Sequence, residues 1–310
     1  MESVSSRIAD YLCYCQLQKR LSPNTMRAYH IDMNQFIDFL RNKKKDHLDV
    51  NNITKDILKE YLERLQGQYA AKTCKRKIAC LKAFFNHLEL EDIIQISPFR
   101  KLRIKISESR QLPKTIKKQD IAKQLEYIYS LSSNVATPFQ EFQAAQTIVC
   151  YEILINTGMR IGELCKLNDD SIDLDSHCIR ITGKGGKERI AYLTEKTIED
   201  AIRHYIQIKE RYHITSPHFF VNWWGNPIKE GSARRMIRNI AQKVLNKRIT
   251  PHMFRHTFAS MLLELNVDIR YIQELLGHSS INTTQIYLHL LNTSIRASLE
   301  RANLRKQFSY

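Results

Sequence analysis

The sequence predicts a mainly α-helical chain with one small antiparallel sheet, an α+β fold in two parts. Three observations lead there. Apolar residues recur at helical spacing along most of the chain, three short strand-like runs cluster between residues 171 and 193, and a proline-bounded basic segment separates a helical first part from a mixed second part. With 310 residues and 43% hydrophobic content, there is enough apolar material for two ordinary cores. The expected divisions are a helical domain over 1–97, a basic linker over 98–114 and a second domain over 115–310 with a C-terminal tail helix.

A helix is expected from Ser22-Pro23, an N-cap followed by proline at the first helical position. Met26, Tyr29, Met33, Phe36 and Leu40 form its apolar stripe. Thr54 caps a second helix carrying Ile57, Leu58, Tyr61, Leu62 and Leu65. A third runs over about 72–88, with Ile78, Leu81, Phe85 and Leu88 on one stripe. Lys72, Lys75, Arg76 and Lys82 project beside that stripe on an arc of roughly 120°. This is a candidate phosphate-contacting face, and equally the form of a solvated flank. Arg100, Lys101, Arg103, Lys105 and Arg110 make the following segment basic, as a tether along phosphates would be.

A long helix over 139–156 ends at Gly158, and a short one passes through Glu163 and Leu164. Strands are expected at 171–174, 178–182 and 189–193, the last two joined by the turn Gly183-Lys184-Gly185-Gly186. Further helices are expected at 195–212, 231–245, 251–265, 269–276 and 282–290, with a short strand at 218–221.

Charge narrows the partner. Lysine and arginine total 48 against 32 aspartate and glutamate, a net +16, divided as 21 against 13 in 1–110 and 27 against 19 in 111–310. An excess of eight in each part is the footprint of an extended polyanion rather than of one basic tail, and suits two lobes closing around a duplex. No apolar run is long enough to span a membrane, and the expectation is a soluble, intracellular protein. The seven cysteines are scattered without C-x-x-C spacing and read as reduced thiols.

Four clusters place unusual polar groups at element boundaries: 157–164 (T-G-M-R-I-G-E-L), 183–189 (G-K-G-G-K-E-R), 252–256 (H-M-F-R-H), and 276–278 (L-G-H) with Tyr287 nine residues on. Each also has a structural explanation, such as an Arg160–Glu163 ion pair at a helix start or a plain hairpin turn. His252 and His256 have the i, i+4 spacing of zinc ligands but lack a third ligand, and the glycine-rich turn lacks a nucleotide-loop ending, so neither metal nor cofactor is expected.

Taken together and in order, the four clusters resemble the tyrosine recombinase (phage integrase) family, most closely its Xer-like bacterial members. The S-P-N-T-x-x-A-Y-x-x-D segment at 22–32 resembles the family's SAM-like, core-binding N-terminal domain, so the likeness spans nearly the whole chain. The resemblance implies a helical DNA-binding domain followed by a mixed α/β catalytic domain. It implies Tyr287 as nucleophile, Arg160 and Arg255 around the reacting phosphate, His252 as base, Lys184 as proton donor to the departing oxygen, and His278 against the phosphate. The choice of Lys184 over Lys187 follows the motif alone. Glu163 is expected to orient an active-site arginine or histidine; His256 is expected to be structural. His252 and Arg255, three apart, share one face of a helix whose first turn holds Pro251 after Thr250, which aims the helix N-terminus at phosphate.

The partners implied are double-stranded DNA and three further recombinase subunits, as a homo-tetramer or with a paralogous recombinase, joined through the tail at 292–310. The reaction implied is strand exchange through a Holliday junction, in chromosome-dimer resolution or in integration and excision of a mobile element. A type IB topoisomerase-like activity and a DNA-binding regulator with an unused catalytic set are the competing readings.

Overall fold

A computed structural model describes residues 3–43, 49–100, 102–106, 114–183, 186 and 188–277. The chain divides into two compact units, Met1–Gln111 and Leu112–Tyr310.

Among the described residues the first unit holds four α-helices: α1 (Val4–Leu17), α2 (Pro23–Asn42), α3 (Lys55–Gln68) and α4 (Ala71–Leu90). Three helices start on side-chain caps: Ser3, Ser22 and Thr54 accept the backbone N–H of Ser6, Thr25 and Ile57 at 3.3, 3.3 and 3.4 Å. Their apolar stripes meet in an aromatic core in which Phe36 packs edge-on against Tyr61 and Phe85, and the Tyr11 ring lies tilted against Phe84. An ion pair is sealed into this core. Asp32 of α2 accepts from the Lys77 ammonium of α4 at 2.8 Å and from the Arg76 guanidinium, and Lys77 also donates to Gln35.

Helix α1 was not anticipated. Its buried stripe, Val4, Ile8, Tyr11, Leu12 and Cys15, includes a tyrosine and a cysteine, so the segment has the right period but a weak apolar signal. The start of the segment expected as a linker belongs to this unit: Phe99 is buried with its ring 5.8 Å from that of Phe85, and Leu102, Ile104 and Ile106 pack against the same core. Glu89 fastens it, accepting from the Ser97 N–H at 3.1 Å and from Arg100 Nε at 2.9 Å.

The second unit contains α5 (Lys118–Ser132), α6 (Pro138–Thr157), the short α7 (Ile161–Leu164), strands β1 (Ile172–Asp173), β2 (Cys178–Thr182) and β3 (Glu188–Tyr192), then α8 (Lys196–Arg211), α9 (Glu230–Leu245), α10 (Pro251–Glu264) and α11 (Ile269–Leu276). The strands form an antiparallel sheet in the order β1-β2-β3, with Thr182 opposite Glu188 at the hairpin end. Helix α6 is buried nearly all round and forms the spine of the unit. Helix α5 also went unforeseen, because only Gln124 and Ile128 on it are fully buried.

The strand expected at 218–221 does not form. His218 and Val221 make only isolated bridges, to Asn168 and Pro227. The buried Lys209 ammonium, held at 2.8 Å by Asp169, takes the carbonyls of His218 and Phe219 at 3.2 and 3.4 Å, which removes acceptors a strand ladder would need. Among the described residues no helix is long and apolar enough to cross a membrane, Cys13 is exposed, and the other six cysteines are buried and unpaired with one another.

Candidate active site

Two of the four sequence clusters, and half of each of the others, converge in the second unit. A cleft of about 1070 Å³ is lined by Arg160, Glu163, Gly183, Arg189, His252 and Gly277, among others. Each arrives at an element end. Arg160 is the N-cap of α7, His252 sits in the first turn of α10 behind Pro251, and Gly277 closes α11 in the left-handed conformation (φ 62°).

Glu163 is the junction of the site. It is 7% exposed, and its carboxylate accepts the Arg160 backbone N–H at 2.8 Å, Arg160 Nη1 at 2.7 Å and Arg189 Nη2 at 2.8 Å. The ion pair expected at this helix start therefore exists, and a second arginine joins it. Burial alone would raise the Glu163 pKa, but the bonds from Arg189 and from the Arg160 backbone and side chain outweigh it and hold the carboxyl below the usual glutamate range. Glu163 stays an anion that fixes two guanidinium groups.

Arg255 is 5% exposed and is not among the residues lining the cleft. Its Nη1 donates to the Gly158 carbonyl at 3.0 Å and its Nη2 to the Leu276 carbonyl at 2.5 Å. It thereby ties the end of α6, two residues before Arg160, to the end of α11, two residues before His278. Gly158 has φ 58°, and a Cβ there would lie 2.5 Å from the Phe258 ring of α10, so the close approach of α6 to α10 requires glycine.

His252 is exposed on the cleft wall, while His256, one turn later, is half-buried. Burial first, then the neighbouring His252 and Arg255 charges, hold the His256 imidazole below the ordinary histidine value. The native state therefore binds fewer protons than the unfolded chain as pH falls below about 6.5, and stability is lost in that window and unchanged above it. In thermal unfolding, His256→Gln is expected to lose less melting temperature than the parent between about pH 7.5 and about pH 5. An equal loss in both proteins would assign the pH dependence elsewhere.

Lys184, Lys187, His278 and Tyr287 lie outside the described residues, as do the expected helix at 282–290 and the tail at 292–310. In the first unit, Lys72, Lys75, Arg76 and Lys82 are all exposed on α4, with the Arg76 guanidinium engaged by Asp32. No group of three or more His, Cys, Asp or Glu side chains suited to a metal occurs among the described residues. Arg189 was not singled out from the sequence. The available signal was its register: on β3 it shares the inward face with Ala191, while Ile190 and Tyr192 face outward.

Comparison with known proteins points one way. The Phage integrase family model matches residues 121–293, and the model for the Phage integrase N-terminal SAM-like domain matches 8–92. A tyrosine recombinase of Agathobacter rectalis is 40% identical over 311 residues, covering all of both chains, and a tyrosine recombinase XerD of Halalkalibacterium halodurans is 32% identical over 304 residues, covering 96% of this chain and 97% of its own. Among solved structures, the XerH site-specific recombinase in its post-cleavage complex with palindromic difH substrate superimposes with a TM-score of 0.76 at 23% identity, covering 96% of this chain and 85% of that one. The likeness to that structure is one of fold.

Proposed function

The chain belongs to the phage integrase family of tyrosine recombinases, and from that premise we propose that it is a site-specific DNA recombinase that cuts and rejoins duplex DNA through a 3′-phosphotyrosyl intermediate. The supporting observation is a cleft lined by Arg160 and Arg189, both on Glu163, and by His252 in the first turn of α10, with Arg255 buried behind it between the ends of α6 and α11. The arrangement is a pre-formed positive site, in which a phosphorane-like transition state gathers charge on its non-bridging oxygens opposite fixed guanidinium donors.

In the reaction proposed, the Tyr287 phenol gives its proton to His252 and its oxygen attacks phosphorus. The P–O5′ bond breaks, and the departing 5′-oxygen takes a proton from Lys184. The phosphotyrosyl link conserves the energy of the broken ester, so the 5′-hydroxyl of another strand can reverse the step and release Tyr287. Arg160, Arg255 and His278 act on the non-bridging oxygens. Two rounds on paired sites exchange strands through a Holliday junction. Lys72, Lys75, Arg76 and Lys82 on α4 are proposed to contact the phosphate backbone. The helical first domain, the segment after it and the catalytic domain follow the family's plan.

The assembly proposed is a tetramer, of this chain alone or with a paralogous recombinase, in which the tail after Tyr287 docks on a neighbouring subunit. The cellular setting proposed is the cytoplasm, on chromosomal or mobile-element DNA. Incubation with a duplex nicked just beyond the cleavage position tests the chemistry, because loss of the short 5′ fragment leaves the phosphotyrosyl link unable to reverse. Accumulation of a covalent protein–DNA adduct is expected; binding without an adduct would return the chain to a DNA-binding role.

A further inference from the structure

Arg189 performs no step in the mechanism above, yet it joins Glu163 to the end of α11. It lies on β3, five residues after Lys184, and its side chain is 9% exposed. One end of its guanidinium, Nη2, reaches Glu163 at 2.8 Å, and Glu163 holds Arg160. The other, Nε, reaches the carbonyl of Leu275 at 2.8 Å, in the last turn of α11. Arg255 takes the next carbonyl, that of Leu276, and returns to Gly158 beside Arg160. The contacts close into a ring running from Arg160 through Glu163, Arg189, the end of α11, Arg255 and Gly158 back to Arg160.

Two further features fit Arg189 to this place. A helix C-terminus attracts cations, and here two guanidinium groups bond adjacent terminal carbonyls of α11. The helix then ends at Gly277, where a Cβ would come within 3.1 Å of Arg189 Cδ, so the arginine lies directly across the residue before His278. Only a planar fork with several donors spans a carboxylate on one side and a carbonyl on the other; a lysine ammonium on the same strand would reach one of them.

We propose that Arg189 is a positioning residue for strand cleavage: through Glu163 it fixes the Arg160 guanidinium, and through the last turn of α11 it fixes the point from which the chain runs on to His278 and Tyr287. This inference rests on the catalytic reading above and extends it by one residue. It couples the hairpin strand that follows Lys184 to the helix that precedes the nucleophile, so that the groups of the site are set together rather than singly.

The test is single-turnover adduct formation on the nicked duplex with the full chain, alongside DNA affinity. Arg189→Gln is expected to slow adduct formation about 100-fold, the effect of misplacing reacting groups by about an ångström, while DNA affinity stays within about threefold of the parent. Glu163→Gln is expected to do the same, and the double variant to be no more than about threefold slower than the worse single one, because both break one ring. Arg189→Lys, keeping one contact, is expected to recover about tenfold of the loss. If the parent forms no adduct at Tyr287, the catalytic reading falls and this inference with it. If the parent forms it and Arg189→Gln forms it equally fast, only this inference falls. A parallel loss of rate, affinity and melting temperature, with no recovery in Arg189→Lys, would make Arg189 a purely structural residue and also overturn it.

Discussion

Arg255→Ala is expected to lose DNA cleavage and fold stability together, whereas Arg160→Ala is expected to lose cleavage almost alone. The difference follows from where the two guanidinium groups sit. Arg255 is buried, and its removal orphans the Gly158 and Leu276 carbonyls at the joined ends of α6 and α11. An unsatisfied buried carbonyl costs roughly 1–3 kcal/mol, so the two together cost about 2–6 kcal/mol. Arg160 has a side chain 40% exposed, and its bond to Glu163 is backed by Arg189, so losing a partly solvated pair costs about 0–1 kcal/mol. Either variant removes a positive donor from the reacting phosphate, worth roughly 100- to 1000-fold in rate. Denaturant unfolding and single-turnover cleavage, measured on both variants, check this. Equal stabilities would mean that Arg255 does not hold the two helix ends.

Asp32→Ala is expected to be the most damaging single change in the first unit. The Lys77 side chain is 3% exposed, and Asp32 at 2.8 Å is its only charged partner among the described residues. Breaking a buried pair by removing one member costs roughly 3–5 kcal/mol, because the remaining charge is left in the core. Gln35 and the Tyr69 ring, 4.9 Å from the ammonium, offset part of this but carry no full charge. Replacing both members, as Asp32→Leu with Lys77→Met, is expected to recover most of the loss, since similar volume fills the site without a charge. Hydrogen exchange of the α2 and α4 amides in the full chain reports the effect directly. Unchanged protection in Asp32→Ala would mean that Lys77 finds water or another acceptor without unfolding the unit.

The same two sites show what a sequence discloses. Helix α2 was legible because Ser22, Pro23 and a five-residue apolar stripe are local signals, and α11 because Ile269–Leu276 is bounded by an N-capping Asp268 and by Gly277. Arg160, Glu163, His252 and Arg255 stood out through motifs at element ends; the structure places the first three on one cleft and buries Arg255 between the ends of α6 and α11. Asp32 and Arg189 stand inside those motifs yet had no assigned role, because their partners are far along the chain: Lys77 is 45 residues from Asp32, and Arg189 reaches Leu275 across 86. Local periodicity carries no information about such pairs. The alternation on β3 was ambiguous as well, since Ile190 and Tyr192 are the larger apolar residues and yet face outward, with Arg189 inward. The strand expected at 218–221 failed for a related reason, its carbonyls being claimed by Lys209 from a neighbouring helix.

The +16 net charge now has distinct parts. Lys77 and Lys209 are structural cations buried against Asp32 and Asp169, and Arg189 is shared between a carboxylate and a helix end. Arg160, Lys184 and Arg255 are proposed for the reacting phosphate, and the exposed α4 arc for the duplex backbone.

The proposed mechanism requires that one tyrosine, Tyr287, become covalently joined to DNA. The direct measurement is to trap the adduct on a nicked duplex, digest the protein and identify by mass the peptide that carries the nucleotide. The expected result is a single modified peptide containing Tyr287 with DNA attached through a 3′-phosphate, and no adduct from Tyr287→Phe, which still binds the duplex with parental affinity. An adduct on another residue, or one that persists in Tyr287→Phe, would contradict the mechanism.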